Sequence, residues 1–250
     1  MKDIGGFLER PDGARLAWRA VEGAGPAVVW LGGFRSDMTG TKAETLAEWA
    51  WSQGRAYVRF DYFGHGQSSG DFPDGTITRW REDALAVLDK LTKDELVLVG
   101  SSMGGWIACL AAIARPKRVK ALVLVAPAAD FTEKLLGPAI PPEGQAALAA
   151  DGVWLRPSDY GEPYPITRKL LEDGARWSLL GGKPIPVKVP VRILQGGEDT
   201  DVPWRHALEM AHALKTDDVV FGLIKDGDHR LSRPQDLDRL IAAVDEVVRP

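Results

Sequence analysis

The feature that most restricts how this 250-residue chain can fold is an alternation of short apolar runs with amphipathic segments. The apolar runs occupy 27–31, 56–60, 95–99, 121–126, 191–195 and 219–224. Helical periodicity is found between them, at 41–53, 78–91, 103–114, 204–214 and 234–247. Near-continuous Val/Leu/Ile runs are typical of strands that are buried on both faces. The alternation therefore predicts an α/β fold with a mostly parallel sheet flanked by helices.

The amino-terminal end predicts two further strands, at 5–9 and 14–20. The link between them contains "RPDG", which is too short for the crossover that a parallel pair requires. An antiparallel hairpin therefore begins the fold and brings the expected sheet to eight strands.

The segment 128–190 interrupts the alternation with many prolines and no clear strand. It also carries five aromatic residues: Phe131, Trp154, Tyr160, Tyr164 and Trp177. A long loop inside a compact domain is usually functional or disordered, and aromatic residues argue against disorder. We predict a small helical lid at 128–190, inserted into a core formed by 1–127 and 191–250.

Charge and residue spacing exclude several classes of partner. The formal net charge is −4, and cationic residues are not clustered as nucleic-acid binding requires. No stretch reaches the length of a membrane span, and no His, Cys, Asp or Glu spacing is typical of a metal site. The segment "GGFRSDMTGTKAE" lacks the spacing of a phosphate loop. We expect no nucleic acid, membrane insertion, metal or cofactor; the oligomeric state stays open.

The cellular compartment is predicted from two features. One cysteine excludes a disulfide framework, and the first residues contain no apolar targeting region. A cytoplasmic protein is expected.

The stretch "VGSSMGGW", residues 99–106, follows a predicted buried strand and precedes a predicted helix. The pattern G-x-S-x-G fits it in one frame, with Gly100 and Gly104 flanking the central Ser102. In a nucleophile elbow, glycines allow strand and helix to close tightly around an exposed serine. An ordinary serine N-cap is the simpler interpretation, but the position after a buried strand favours a nucleophile.

A serine nucleophile requires a base, and the chain has four histidines. His206 and His212 fall in a helical pattern, as surface or boundary residues. His65 precedes the serine in the chain. His229 follows the last predicted strand and precedes the last helix, which matches the elbow fold's order of serine, acid and histidine.

The acid that orients His229 is sought after the strand 191–195, where Glu198, Asp199 and Asp201 follow. We select Asp199, because it stands at the strand end ahead of the next helix. Asp130 is the alternative acid, although a helix N-cap is the simpler interpretation for it.

The oxyanion hole and the substrate pocket are predicted near the same sheet edge. The backbone N–H groups of Met103 and Phe34 are the expected oxyanion donors. Gly33 permits a close approach of the acyl oxygen, and Trp154 and Trp177 are the candidate pocket walls from the lid.

Five segments in order, "LGGF", "DYFGHGQS", "GSSMGG", "GGEDTDVP" and "DGDH", resemble serine hydrolases of the α/β-hydrolase superfamily. Longer stretches such as "GSSMGGWIACLAAIARPKRV" resemble its branch of mitochondrial palmitoyl-protein thioesterases, which also cleave acyl glucuronides. The resemblance implies a Ser102–Asp199–His229 triad that hydrolyses esters or thioesters of small or lipid-like acyl groups through an acyl-enzyme. It also implies structural roles for His65 and Ser68.

Other activities use the same fold. Dehalogenases and epoxide hydrolases require an aspartate nucleophile, which Ser102 disfavours. Carbon–carbon bond hydrolases and perhydrolases retain the serine, and a non-catalytic ligand-binding member or a peptidase is a further alternative. The lid cations Arg156, Arg168, Lys169 and Arg176 either meet a substrate carboxylate or are solvated.

Overall fold

A computed structural model describes residues 3–157 and 163–249 of the chain. Tyr160, one of the lid aromatic residues, lies outside them. The strands are β1 (Ile4–Glu9), β2 (Arg15–Val21), β3 (Ala24–Leu31), β4 (Arg55–Phe60), β5 (Leu96–Ser101), β6 (Val119–Val125), β7 (Val153–Arg156), β8 (Tyr164–Thr167), β9 (Val191–Gly196) and β10 (Val219–Ile224). The helices are α1 (Thr41–Ser52), α2 (Ile77–Leu91), α3 (Met103–Ala114), α4 (Pro142–Asp151), α5 (Arg168–Ala175), α6 (Trp204–Ala213) and α7 (Pro234–Val248).

Eight of the strands form one sheet in the order β1-β2-β4-β3-β5-β6-β9-β10. The β1–β2 hairpin and the β2–β4 pair are antiparallel, and every other pair in this sheet is parallel. The predicted fold class, a mostly parallel eight-stranded sheet flanked by helices, is confirmed. Each predicted strand and helix of the core falls within a few residues of its observed bounds.

The sheet is covered by helices on both faces, and this explains the apolar character of its central strands. Leu46 of α1 and Val244 of α7 pack into the core on one face. Leu88 of α2 and Ile107 of α3 belong to the core on the other. Every residue of β5 is buried, so the strand that leads to Ser102 is held from both sides.

The segment between β6 and β9 differs from the purely helical prediction. It contains α4 and α5, but β7 and β8 pair as an antiparallel ribbon between them. Each strand has four residues, too few for a clear alternation, and Pro165 lies within β8. A proline is tolerated in a two-stranded ribbon because one edge of each strand has no hydrogen-bonding partner to lose.

Buried polar contacts fasten this segment to the core. Asp173 of α5 accepts hydrogen bonds from the backbone N–H and the hydroxyl of Thr78, both at 2.7 Å. The indole N–H of Trp177 donates to the same hydroxyl at 2.7 Å, and that of Trp106 donates to the Trp177 carbonyl at 3.1 Å. The carboxyl end of the segment is therefore tied to α2 and α3.

Within residues 3–157 and 163–249, no helix has the length and apolar character needed to cross a bilayer.

Candidate active site

Ser102 occupies a tight turn between β5 and α3, with φ 55° and ψ −120°. This backbone conformation is unfavourable for a residue with a side chain, and such strain concentrates at functional sites. A Cβ at Gly100 would collide with the Gly104 carbonyl, and a Cβ at Gly104 would collide with the Leu31 carbonyl. The two glycines are therefore required for β5, α3 and the end of β3 to meet.

The structure brings Ser102, His229 and Asp199 into one chain of hydrogen bonds. His229 Nδ1 lies 2.8 Å from Asp199 Oδ2, and His229 Nε2 lies 3.2 Å from Ser102 Oγ. Because an ionised carboxylate only accepts, the imidazole carries its proton on Nδ1. Nε2 is then the acceptor for the Ser102 hydroxyl.

Asp199 is the buried member of the three acids that follow β9, whereas Glu198 and Asp201 are exposed. Its Oδ1 accepts the backbone N–H groups of Asp201 at 3.0 Å and Val202 at 2.8 Å. The side-chain amide of Gln195 donates to Oδ2 at 3.1 Å. These donors fix the orientation of the carboxylate.

Asp130, the alternative acid, instead bonds residues within the segment between β6 and β9. Its carboxylate is fully buried and accepts the Ser178 hydroxyl at 2.6 Å. The backbone N–H groups of Leu179 and Leu180 each donate to it at 2.8 Å. All of these contacts lie away from His229.

Two backbone N–H groups beside Ser102 lack partners among the described residues. Met103 begins α3, so its N–H has no acceptor within the helix. The N–H of Phe34 makes no hydrogen bond in the described part of the chain. Gly33 lies close by, since a Cβ there would sit 3.4 Å from Ser102 Cβ.

Aromatic packing and His65 hold the loop that contains Phe34. The Phe34 ring packs against Phe72 at 4.8 Å and Phe131 at 5.5 Å between centroids. His65 Nε2 accepts the backbone N–H of Arg35 at 3.2 Å, and Nδ1 lies 3.1 Å from the Phe63 carbonyl. Burial lowers the pKa of His65 to about 4, so the ring is neutral and can accept this bond.

Ser68 and His206 also have structural contacts. The Ser68 hydroxyl donates to the Asp61 carbonyl at 2.6 Å and accepts the N–H of Ala17 at 2.9 Å. His206 is buried rather than at the surface, and its Nε2 lies 2.8 Å from the Ala129 carbonyl. Its position on the inner side of α6 is not evident from the helical pattern alone.

A cavity of about 610 Å³ opens beside Ser102. Its apolar wall comes mainly from the segment after β6 and from β8: Phe131, Leu135, Leu136, Ala139 and Ile166. Its cations are Arg35, Lys42, Arg156 and Arg230, against two acids, Asp37 and Asp201. The cavity thus combines apolar surface with an excess of positive charge.

Two of the predicted pocket residues do not line this cavity. Trp177 faces α2, where its indole bonds Thr78 and Arg81 stacks on its ring at 4.4 Å. Trp154 packs against α4, since a Cβ on Gly144 would lie 2.9 Å from its ring. Gly33, the third predicted residue, does line the cavity. Sequence alone does not determine which side of a lid an aromatic residue faces.

Of the four cations in the predicted lid, Arg156 reaches the cavity wall, and Arg168 instead donates to the Leu148 and Ala149 carbonyls.

A set of possible metal ligands occurs beside Ser102: one ligand atom each from Asp199, Asp201 and His229 lie within 4.8 Å of one another. Asp199 and His229 are already hydrogen-bonded to each other, so we interpret the set as part of the serine–histidine–aspartate arrangement.

The sheet order and the serine at the strand-to-helix turn define this protein as an α/β hydrolase. The sequence profile of the family described as serine aminopeptidase, S33, matches residues 26–170, and the chain belongs to that family.

Individual relatives support the same class. A mouse protein, alpha/beta hydrolase domain-containing protein 10, is 37% identical, with a TM-score of 0.90 and 98% of each chain covered. A putative hydrolase from Agrobacterium vitis S4 is 44% identical, with a TM-score of 0.95 and all of each chain covered.

A bovine relative, named palmitoyl-protein thioesterase ABHD10, mitochondrial, is 39% identical over 97% of this chain and 79% of its own length. The human protein of that name is 38% identical over the same shares. The resemblance to this branch is thereby confirmed. The prediction of a cytoplasmic protein is wrong by the same comparison, because these relatives are named mitochondrial.

Proposed function

We propose that this protein is a serine hydrolase that cleaves carboxylic thioesters and esters through an acyl-enzyme intermediate. The observation that carries the proposal is the hydrogen-bonded series from Ser102 through His229 to the buried Asp199, which opens onto a cavity. The name of the bovine relative supports a thioester as the substrate.

In this mechanism, Ser102 Oγ attacks the acyl carbon while His229 Nε2 takes the hydroxyl proton. Asp199 holds the imidazole in the required tautomer and stabilises the imidazolium. The N–H groups of Phe34 and Met103 bind the oxyanion, and each donor contributes about 3 kcal/mol by analogy with other oxyanion holes.

The tetrahedral intermediate collapses when His229 returns the proton to the leaving thiol or alcohol. Water then attacks the acyl-enzyme with His229 as base, and Ser102 is regenerated with release of the acid. The apolar wall around Phe131, Leu136 and Ile166 suits the acyl chain.

The test compares Ser102→Ala with Ser101→Ala on p-nitrophenyl butyrate and a palmitoyl thioester. Ser101 is the adjacent, buried hydroxyl at the end of β5, so it is a matched control. We expect S102A to lower kcat/KM by about 10⁴-fold or more, because the nucleophile is lost. Substantial turnover by S102A would rule the mechanism out.

The acyl preference is tested with butyryl, octanoyl and palmitoyl thioesters on the wild-type protein. An apolar cavity predicts that kcat/KM rises with acyl length until the cavity is filled. A flat profile would contradict a palmitoyl-type substrate and leave a general esterase.

Acyl glucuronides are a second candidate substrate, favoured by two arginines on the cavity wall. Arg35 lies 5.5 Å and Arg156 lies 5.7 Å from the centroid of the Tyr164 ring. Both line the cavity, and a guanidinium group is suited to bind a sugar carboxylate.

The glucuronide assignment is tested with Arg156→Gln. We expect KM for an acyl glucuronide to rise about tenfold, with little change for the acyl glucoside that lacks the carboxylate. Equal effects on both would contradict recognition of the carboxylate.

Carbon–carbon bond hydrolysis, perhydrolysis, peptide hydrolysis and ligand binding without catalysis are alternatives on this fold. A vinylogous diketone tests carbon–carbon bond hydrolysis, a peroxide acceptor tests perhydrolysis, and a peptide p-nitroanilide tests peptide hydrolysis. Failure of a fluorophosphonate to modify Ser102 would favour the fourth.

A further inference from the structure

Lys42, the second residue of α1, reaches across the site to the loop that carries His229. Its Nζ donates to the carbonyl oxygen of Arg230 and to Ser232 Oγ, the latter at 3.3 Å. Arg230 directly follows His229 in the chain. The contact with Lys42 therefore holds the peptide next to the imidazole, from a helix 188 residues away in sequence.

The loop has other contacts as well, and one of them joins it to the turn after β9, where the Gly227 carbonyl accepts the N–H of Glu198 at 2.9 Å. Asp228 Oδ1 accepts the N–H of Leu231 at 2.9 Å, and Leu231 is buried with a left-handed φ of 44°. Arg233 Nε lies 2.7 Å from Asp236 at the start of α7. These contacts hold the loop to itself, to the turn after β9 and to α7, whereas Lys42 holds it to α1.

The energetics of Lys42 argue for a functional rather than a stabilising role. Burial lowers its pKa to about 8, although the carboxylates of Asp228 and Asp236 favour the charge and the nearby Arg230 cation opposes it. The cost of desolvating this cation offsets part of what its two hydrogen bonds contribute to folding, so the net contribution of the side chain to stability is small.

We propose that Lys42 is a positioning residue for His229: by holding the Arg230 carbonyl, it sets the distance between His229 Nε2 and Ser102 Oγ. This inference rests on the proposed function, because the position of His229 matters only if His229 takes the proton of Ser102. Lys42 also lines the cavity, so direct contact with the substrate is the competing account.

The experiment compares Lys42→Met, Lys42→Arg and Glu48→Gln with the wild type, on p-nitrophenyl butyrate and in thermal unfolding. Methionine keeps most of the volume and removes the donor, and arginine restores a cationic donor. Glu48 lies on the exposed side of the same helix and is the matched control.

We expect K42M to lower kcat by about 10- to 100-fold, since small displacements of a catalytic group have effects of this size. KM should change by less than about twofold, because ground-state binding is not affected. K42R should recover most of kcat, E48Q should match the wild type, and the Tm of K42M should stay close to that of the wild type.

Three results would overturn the assignment: an unchanged kcat for K42M, a raised KM with kcat retained, or a K42M protein that melts earlier or does not fold. The second would make Lys42 a substrate contact, and the third would make its role structural. A wild-type protein that neither turns over esters nor reacts with a fluorophosphonate would instead refute the proposed function itself.

Discussion

At the scale of single residues, the site depends on the different environments of two neighbouring aspartates. Asp199 is buried and hydrogen-bonded to His229, whereas Asp201 is exposed two residues later and offers only its backbone N–H to Asp199. We therefore propose that Asp199, and not Asp201, orients the imidazole.

Replacement of Asp199 by Asn, compared with the same change at Asp201, distinguishes the roles of the two residues. An amide can donate to Nδ1 and thereby favour the wrong imidazole tautomer, so we expect kcat for an ester to fall by about 10³- to 10⁴-fold. Asp201→Asn is the matched control and should stay within about threefold of the wild type. Similar losses in both variants would contradict the role of Asp199.

The residues of the site differ in how far the sequence determines them. Ser102, Asp199 and His229 each follow a buried strand or a glycine turn, and parallel strands bring their carboxyl ends to one edge of the sheet. Their meeting is thus predictable from strand order. The positions of Trp154 and Trp177 depend on how the segment 128–190 packs. The hydrogen bond from Lys42 to the Arg230 carbonyl joins residues distant in sequence. Neither feature is predictable from the sequence.

At the scale of elements, two buried carboxylates hold the segment between β6 and β9 in place. Asp173 holds α5 to Thr78, and Asp130 holds residues 178–180. We infer that Asp173 fixes the segment to α2 and that Asp130 joins its beginning to residues 178–180, in addition to apolar packing. The pairing of β7 with β8 is not predictable from four-residue strands, whereas the helices and long strands are.

Replacement of Asp130 by Ala tests the anchor. It leaves buried N–H groups at Leu179 and Leu180 without an acceptor, so we expect the free energy of unfolding to fall by about 3 kcal/mol or more. Asp151→Ala, at the exposed end of α4, should change it by less than about 0.5 kcal/mol. Urea denaturation measures both, and equal effects would contradict the anchoring role.

At the scale of the whole molecule, the free energy of unfolding depends on pH through buried ionisable groups such as His65. The depressed pKa of His65, about 4, lies below the 6.5 of an unperturbed histidine. Between these values the unfolded chain binds more protons, so the free energy of unfolding rises with pH across this window. The stabilisation is present above pH 6.5 and is lost as the pH falls toward 4.

The contribution of His65 is isolated by comparison with His65→Gln, which can still accept the Arg35 N–H. The stability advantage of the wild type over H65Q should shrink by about 3 kcal/mol between pH 7 and pH 4. Asp83, whose pKa burial raises to about 6, and His206 are present in both proteins and cancel. A difference that does not vary with pH would show that His65 does not titrate in this way.

The central claim is that Ser102 is the nucleophile, and intact-mass measurement after reaction with a fluorophosphonate tests it most directly. We expect a single adduct, mapped by peptide sequencing to Ser102 and absent from the Ser102→Ala and His229→Ala proteins. An adduct on Ser101 or another residue, or no adduct on a folded wild-type protein, would contradict the claim.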